Sequence, residues 1–182
     1  MKHQYLNGKY ISLRAMEPED LPYIYDIENA PELWSISNFT VPYSYYTVKQ
    51  FLKNTQNDLY ADRQLRMVIE RKADKAFLGI IDVTDFVPHH SRAEVGIVVK
   101  DEYRGEGYGT EALRLLCDYV FGFLSLQQLT AHIETDNIPS LKLFAACGFV
   151  QCGILHKWLF VEGTYKDVAL MQCINTENKN KE

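Results

Sequence analysis

The stretch Arg104-Gly105-Glu106-Gly107-Tyr108-Gly109-Thr110 constrains this chain more than any other. Before it lies an apolar run ending in Ile97-Val98-Val99; after it, Ala112, Leu113, Leu116, Tyr119, Val120 and Phe123 recur at helical spacing. A strand that enters a helix through three glycines has a backbone free to adopt positive φ and to approach a ligand closely. The first N–H groups of such a helix have no partner within it, and its dipole is positive there. The segment therefore predicts a seat for phosphate oxygens, with Arg104 as a charge-assisted donor. The alternative is a Gly-rich turn that binds nothing. A Walker loop would need a closing Lys-Ser or Lys-Thr, which is absent, and the spacing is GxGxG rather than the GxGxxG of dinucleotide sites.

The surrounding pattern sets the fold class. Tyr10–Ala15 alternates as a strand, Glu17-Pro18-Glu19-Asp20 opens a helix that ends near Pro31, and a second helix is expected from Thr47 to about Tyr60. Leu65–Glu70, Phe77–Phe86 and Ser91–Lys100 read as three strands of an antiparallel meander. A helix over Gly107–Phe123 follows, then a strand over Leu129–Thr135 with Leu129, Ala131 and Ile133 on one face and Thr130, His132 and Glu134 on the other. A short helix is punctuated by Asn137 as cap, Pro139 in the first turn and Gly148 at the end; Glu162-Gly163 joins two closing strands. The order β, α, α, β, β, β, α, β, α, β, β predicts an α/β chain of the α+β kind: a mixed, mostly antiparallel central sheet with helices on both faces. One domain over residues 8–174 is expected, with a polar, disordered tail over 175–182.

Composition removes several classes of function. A net charge of -5 supplies no general basic field for nucleic acid. No apolar run reaches the ~18 residues of a membrane span, and the N-terminus lacks the apolar stretch of a signal peptide, so a cytoplasmic protein is expected. Cys117, Cys147, Cys152 and Cys173 form no CxxC pair and read as small core residues. His89-His90 has no further ligands at metal spacing, so no metal is expected.

Arg104–Thr110 resembles the [RQ]-x-x-G-x-[GA] pyrophosphate turn of the GNAT superfamily of N-acetyltransferases, with Arg104, Gly107 and Gly109 at the defining positions. Arg92–Val99 (RAEVGIVV) and the stretch from Asp136-Asn137-Ile138-Pro139-Ser140 to Cys147-Gly148-Phe149 extend the similarity, most toward the spermidine/spermine and ribosomal-protein alanine branches. The resemblance implies the acyl-CoA N-acyltransferase fold and acetyl-CoA as co-substrate. Residues 104–110, namely Arg104, Gly105, Glu106, Gly107, Tyr108, Gly109 and Thr110, would hold its pyrophosphate. Ile97, Val98 and Val99 would offer backbone groups to the pantetheine arm where the strand bulges at Gly96 and parts from its neighbour. A backbone N–H there would polarise the thioester carbonyl. Asn137 is either a cofactor contact or a pure helix cap, and Ser140 lies one turn on. A homodimer is implied by the family alone.

The implied reaction is direct attack of an amine on the thioester. A lysine-like amine has a pKa near ~10.4, so a base must take its proton. Glu94 is the candidate; the other reading is a surface carboxylate paired with Arg92 or a Lys. The polyamine branch carries a Tyr before its Gly-Phe pair as acid for the leaving thiolate, but this chain has Phe144 there; Ser140, four residues earlier, is the candidate substitute. For the acceptor, Glu28, Glu32, Trp34 and Tyr43 are the candidate contacts, with Phe39, Tyr45 and Tyr46 nearby; packing of these aromatics against the core is the alternative. The paired acids of the polyamine branch are replaced by Ser37-Asn38-Phe39-Thr40. A polyamine or diamine, an amino acid and a peptide N-terminus all remain as acceptors, and a CoA-binding regulatory module with little catalysis is the competing function.

Overall fold

The computed structural model describes residues 5–34, 41–56 and 58–176. Seven strands form one sheet in the order β1-β2-β3-β4-β5-β7-β6: β1 Ile11–Arg14, β2 Leu65–Arg71, β3 Phe77–Val87, β4 Arg92–Val99, β5 Gln128–Glu134, β6 Val150–Val161 and β7 Thr164–Ile174. Every neighbouring pair is antiparallel except β4 and β5, which are parallel. The helices are α1 Leu21–Glu28, α2 Pro31–Trp34, α3 Tyr45–Asn54, α4 Leu59–Asp62, α5 Tyr108–Asp118 and α6 Ile138–Ala146.

The strands of the middle are buried on both faces, which divides the core in two. On one face Ile69, Ile81, Val83, Val95, Leu129 and Ile133 pack with Leu113 and Leu116 of α5 and Phe144 of α6. On the other, Val68, Phe77 and Ile80 pack with Leu21, Ile24 and Ile27 of α1 and Val48 of α3. Alternation along β4 then assigns Glu94, Gly96 and Val98 to the α1/α3 face, since they sit opposite Thr84, Asp82 and Ile80 of β3.

Local chemistry sets the helix ends. Asn137 accepts from the Ser140 N–H at 3.2 Å and so caps α6. At the other end Gly148 has φ +88, its N–H reaches Ala145 O and the Phe149 N–H reaches Phe144 O. The Phe144 and Phe149 rings meet edge-on at 5.0 Å, completing a Schellman closure with its apolar contact. In the β6–β7 turn Glu162 (φ 49) and Gly163 (φ 81) are both left-handed, as a two-residue type I′ hairpin needs.

Four expectations need correction. The helix expected over Thr47–Tyr60 is two: α3 stops at Thr55, and Asp58 restarts the chain by capping α4 through the N–H groups of Tyr60 and Ala61. The helix expected to run to Phe123 is α-helical only to Asp118, then widens into a π turn with Leu124 N–H bonded to Tyr119 O, where a Cβ on Gly122 would lie 2.8 Å from the Tyr5 hydroxyl. Asn175 does not begin a disordered tail: it is 4% exposed and donates to Phe121 O and Leu126 O. The rest of the proposed tail from residue 177 lies outside the described residues. Cys117 is buried, which pushes its thiol up, but Cys152 is exposed on β6 rather than in the core.

Candidate active site

The parallel contact between β4 and β5 is short. It runs from Arg92↔Gln128 through Ala93↔Leu129 to Glu94↔Thr130 and then stops, while β4 stays with β3 as far as Val99 and β5 stays with β7 as far as Glu134. From Val95 onward the two strands form the arms of a fork. Lys100 N–H donates to Leu78 O, which fixes the even-numbered residues of β4 as those bonded to β3. By alternation Ile97 and Val99 turn their backbone groups into the fork, whereas the backbone of Val98 is committed to Ile80. Of the three residues expected to face a ligand through their main chain, Val98 therefore does not.

Gly96 is not a bulge. It pairs in register with Asp82, and the shift in the β3–β4 ladder comes between Thr84 and Val87, where Asp85 takes φ 48. A Cβ at Gly96 would meet nothing within 4 Å. Its effect is a bare patch on the α1/α3 face, one residue inside the fork.

The Gly-rich turn closes the end of β4. Gly105 (φ +80) and Gly107 (φ +84) occupy the left-handed region, with open space around both. Gly107 is the cap residue of α5 and, being glycine, offers no side-chain cap to the first N–H groups of that helix. Gly109 serves packing instead: it is buried, and a Cβ there would lie 2.8 Å from Leu143 of α6, with Val99 and Ile97 behind it. That contact sets the start of α5 directly against the open arm of the fork. Arg104 is tied to the turn, its Nε donating to Val99 O at 2.9 Å and its guanidinium pairing with Asp101. Glu106 is exposed, Tyr108 and Thr110 are half-buried, and Ser140 lies half-buried in the first turn of α6.

At the crotch of the fork stands a pair that the sequence reading did not assemble. Glu94 Oε1 and His132 Nδ1 are 2.8 Å apart, and the imidazole lies nearly parallel to the Trp158 indole, 8° between planes and 6.2 Å between centroids. Among the described residues Glu94 pairs with neither Arg92 nor a Lys. The signal for His132 was present in the strand pattern, which puts it on the face opposite Leu129, Ala131 and Ile133; what the sequence lacked was the register bringing Glu94 beside it.

The expected acceptor acids behave differently. Glu28 is 8% exposed and bonded to Arg66, which also holds Asp82 through Nε and Nη2 at 2.9 Å each. Burial alone would lower the Arg66 guanidinium, but Asp82 and Glu28 raise it overall. Glu28 is therefore committed to an internal ion pair rather than offered to a ligand. Tyr43 is anchored by Asn29, which accepts from its N–H at 2.9 Å and donates to its carbonyl; burial and the nearby Glu28 charge push its phenol up. The side chains of Glu32 and Trp34, and residues 35–40 with Phe39, lie outside the described residues. Among the described residues no group of three or more His, Cys, Asp or Glu is placed to hold a metal ion, and no helix is long and apolar enough to cross a membrane.

A forked mixed sheet whose open arm meets an uncapped, glycine-rich helix start is the architecture of an N-acetyltransferase. Residues 11–150 match the family model described as an acetyltransferase (GNAT) domain, and the chain belongs to that family. It is 28% identical to the spermidine N(1)-acetyltransferase of Vibrio cholerae over 94% of this chain and 96% of that one. It is 29% identical to the Escherichia coli K12 spermidine N(1)-acetyltransferase over 90% of this chain and 85% of that protein. A crystal structure of the Vibrio cholerae spermidine N-acetyltransferase in complex with CoA and spermine superposes with a TM-score of 0.81 at 27% identity, covering 92% of this chain and 97% of the other.

Proposed function

We propose that this N-acetyltransferase moves the acetyl group of acetyl-CoA to a primary amine of a polyamine or small diamine, by direct attack within a ternary complex. The observation that carries this reading is the fork itself: Ile97 and Val99 turn their backbone away from β3 into the gap beside β5, with the Val99 carbonyl held there by Arg104 Nε, and the α5 N-terminus, with Gly105 and Gly107 at positive φ, meets the same opening. A phosphate-bearing thioester with an extended arm fits that arrangement, the anionic end at the helix start and the arm against the strand edge. Acetyl-CoA supplies the activated acetyl carbonyl. The chain supplies orientation through Ile97 and Val99, and a proton acceptor beside the bare patch at Gly96 through the Glu94–His132 pair. Asn137 and Ser140 stand at the start of α6, just after β5, the other arm of the fork, where they would meet the cofactor's arm. The polyamine class rests on the similarity to spermidine acetyltransferases over nearly the whole chain.

The test is thiol release from acetyl-CoA by the purified protein with spermidine, spermine, small diamines, free amino acids and short peptides. Release with the polyamines at lower KM than with the others is expected. Release only with peptides would replace the acceptor class.

Phe144 favours a second reading, a CoA-binding module with little catalysis. It is 3% exposed, packed on Phe149, and has no proton to give a leaving thiolate. Tight CoA binding without turnover for any amine, with turnover gained in Phe144→Tyr, would establish that reading in place of the first.

A further inference from the structure

We infer that the proton of the acceptor amine is taken by His132 through Nε2, and that Glu94 is its positioning residue rather than the base. This rests on the acetyltransferase reading and names the atom that does the acid–base work within it.

Three observations carry it. First, Glu94 Oε1 lies 2.8 Å from His132 Nδ1. A carboxylate only accepts, so the neutral ring must carry its proton on Nδ1, which leaves Nε2 as the free lone pair. Second, the other acids on this face of the sheet are already spent on cations. Asp82 holds Arg66, and Glu134 holds Lys166 at 2.8 Å. Among the described residues Nε2 has no partner, and the His132 side chain is 30% exposed, so it can pass a proton to water. Third, the pair sits at Glu94↔Thr130, the last rung before the strands part, two residues from the bare Gly96. That is where an acceptor nitrogen must come to reach a carbonyl lying along Ile97. An imidazole can hold the carboxylate through one ring nitrogen while the other accepts a proton, whereas the carboxylate is engaged by that same contact. The geometry is that of a carboxylate–imidazole dyad, in which the acid fixes tautomer and ring orientation.

The step balances as R–NH3+ plus acetyl-S-CoA giving R–NH–acetyl, HS-CoA and H+. One ammonium proton passes to Nε2 and on to water. The nitrogen lone pair forms the C–N bond while the C–S electrons leave on sulfur, and the second nitrogen proton ends on the thiol.

Two measurements test this. Ring 15N shifts of His132 in the free protein need no substrate: the neutral ring should be in the Nδ1–H tautomer and should move toward the Nε2–H form in Glu94→Ala. A wild-type ring in the Nε2–H tautomer would overturn the assignment. In turnover, His132→Gln keeps a donor toward Glu94 but loses the base; kcat should fall about 10²–10⁴-fold with CoA affinity by calorimetry unchanged. His132→Gln with full kcat alongside a crippled Glu94→Gln would make Glu94 the base and defeat this inference alone. A wild-type protein inactive toward every amine would defeat the acetyltransferase reading with it, whatever the tautomer.

Discussion

At the residue scale the partly buried Glu28–Arg66–Asp82 triad shows how sequence and structure diverge. A glutamate beside an aromatic loop looks like a contact for a cationic substrate; folding turns it inward onto Arg66, which also lies over the Phe51 ring at 5.7 Å. Removing the cation would leave two carboxylates facing each other in the interior. Arg66→Met should cost about 3–5 kcal/mol in urea unfolding, as expected for an orphaned buried charge. Replacing Glu28 and Asp82 by Gln in the same chain should recover much of the loss. The Glu94–His132 pair is the opposite case: partly exposed and unnecessary to the core, its substitution should leave the unfolding midpoint nearly unchanged while turnover falls.

At the scale of elements the glycines of residues 104–110 separate into two jobs. Gly105 and Gly107 provide backbone conformation, and Gly109 provides room between α5, α6 and β4. Gly107→Ala meets no atom, so its cost is the left-handed φ alone, about 1–2 kcal/mol, together with a weakened affinity for CoA measured by calorimetry. Gly148→Ala carries the same conformational cost, since its Cβ would make only an ordinary 3.7 Å contact with Cys173, but it lies at the far end of α6 and should leave CoA affinity alone. Comparing the two separates stability from binding. If both lowered affinity equally, the turn would have no special part in holding the ligand.

For the whole molecule, pH dependence follows from the carboxylates that folding pairs. Burial would raise Glu70, yet hydrogen bonds from Arg14 and Lys75 lower it overall. Asp136 is lowered by Lys166, and Asp74 by Arg71. An acid lowered by folding contributes stability that is present above its unfolded pKa, ~4 for these groups, and lost as pH falls through the folded value. The thermal midpoint should therefore hold steady from neutral pH to about pH 5 and drop below about pH 4. Glu70→Gln should make that acid limb shallower, and a midpoint unchanged down to pH 2 would contradict the account.

Most of the fold was legible because it is local. The period-2 strands, the Asn137–Pro139–Gly148 punctuation, the Glu162-Gly163 hairpin and the glycines of the turn each act within a few residues, and patterning alone locates them. The same local logic put a glycine-rich helix start at α5 and set a mixed sheet in view. Two helix boundaries escaped because a side-chain cap at Asp58 and the room made by Gly122 for Tyr5 are contacts that periodicity does not register. What only tertiary structure decided is which residues meet across strands. The register of β3 against β4 makes Gly96 a bare patch rather than a bulge, the three-rung contact of β4 with β5 opens the fork, and the pairing of Glu94 with Thr130 brings His132 to the carboxylate. Those partners lie far apart in the chain, and their meeting depends on how each strand slides past the next, a choice fixed by burying both faces of the whole sheet at once.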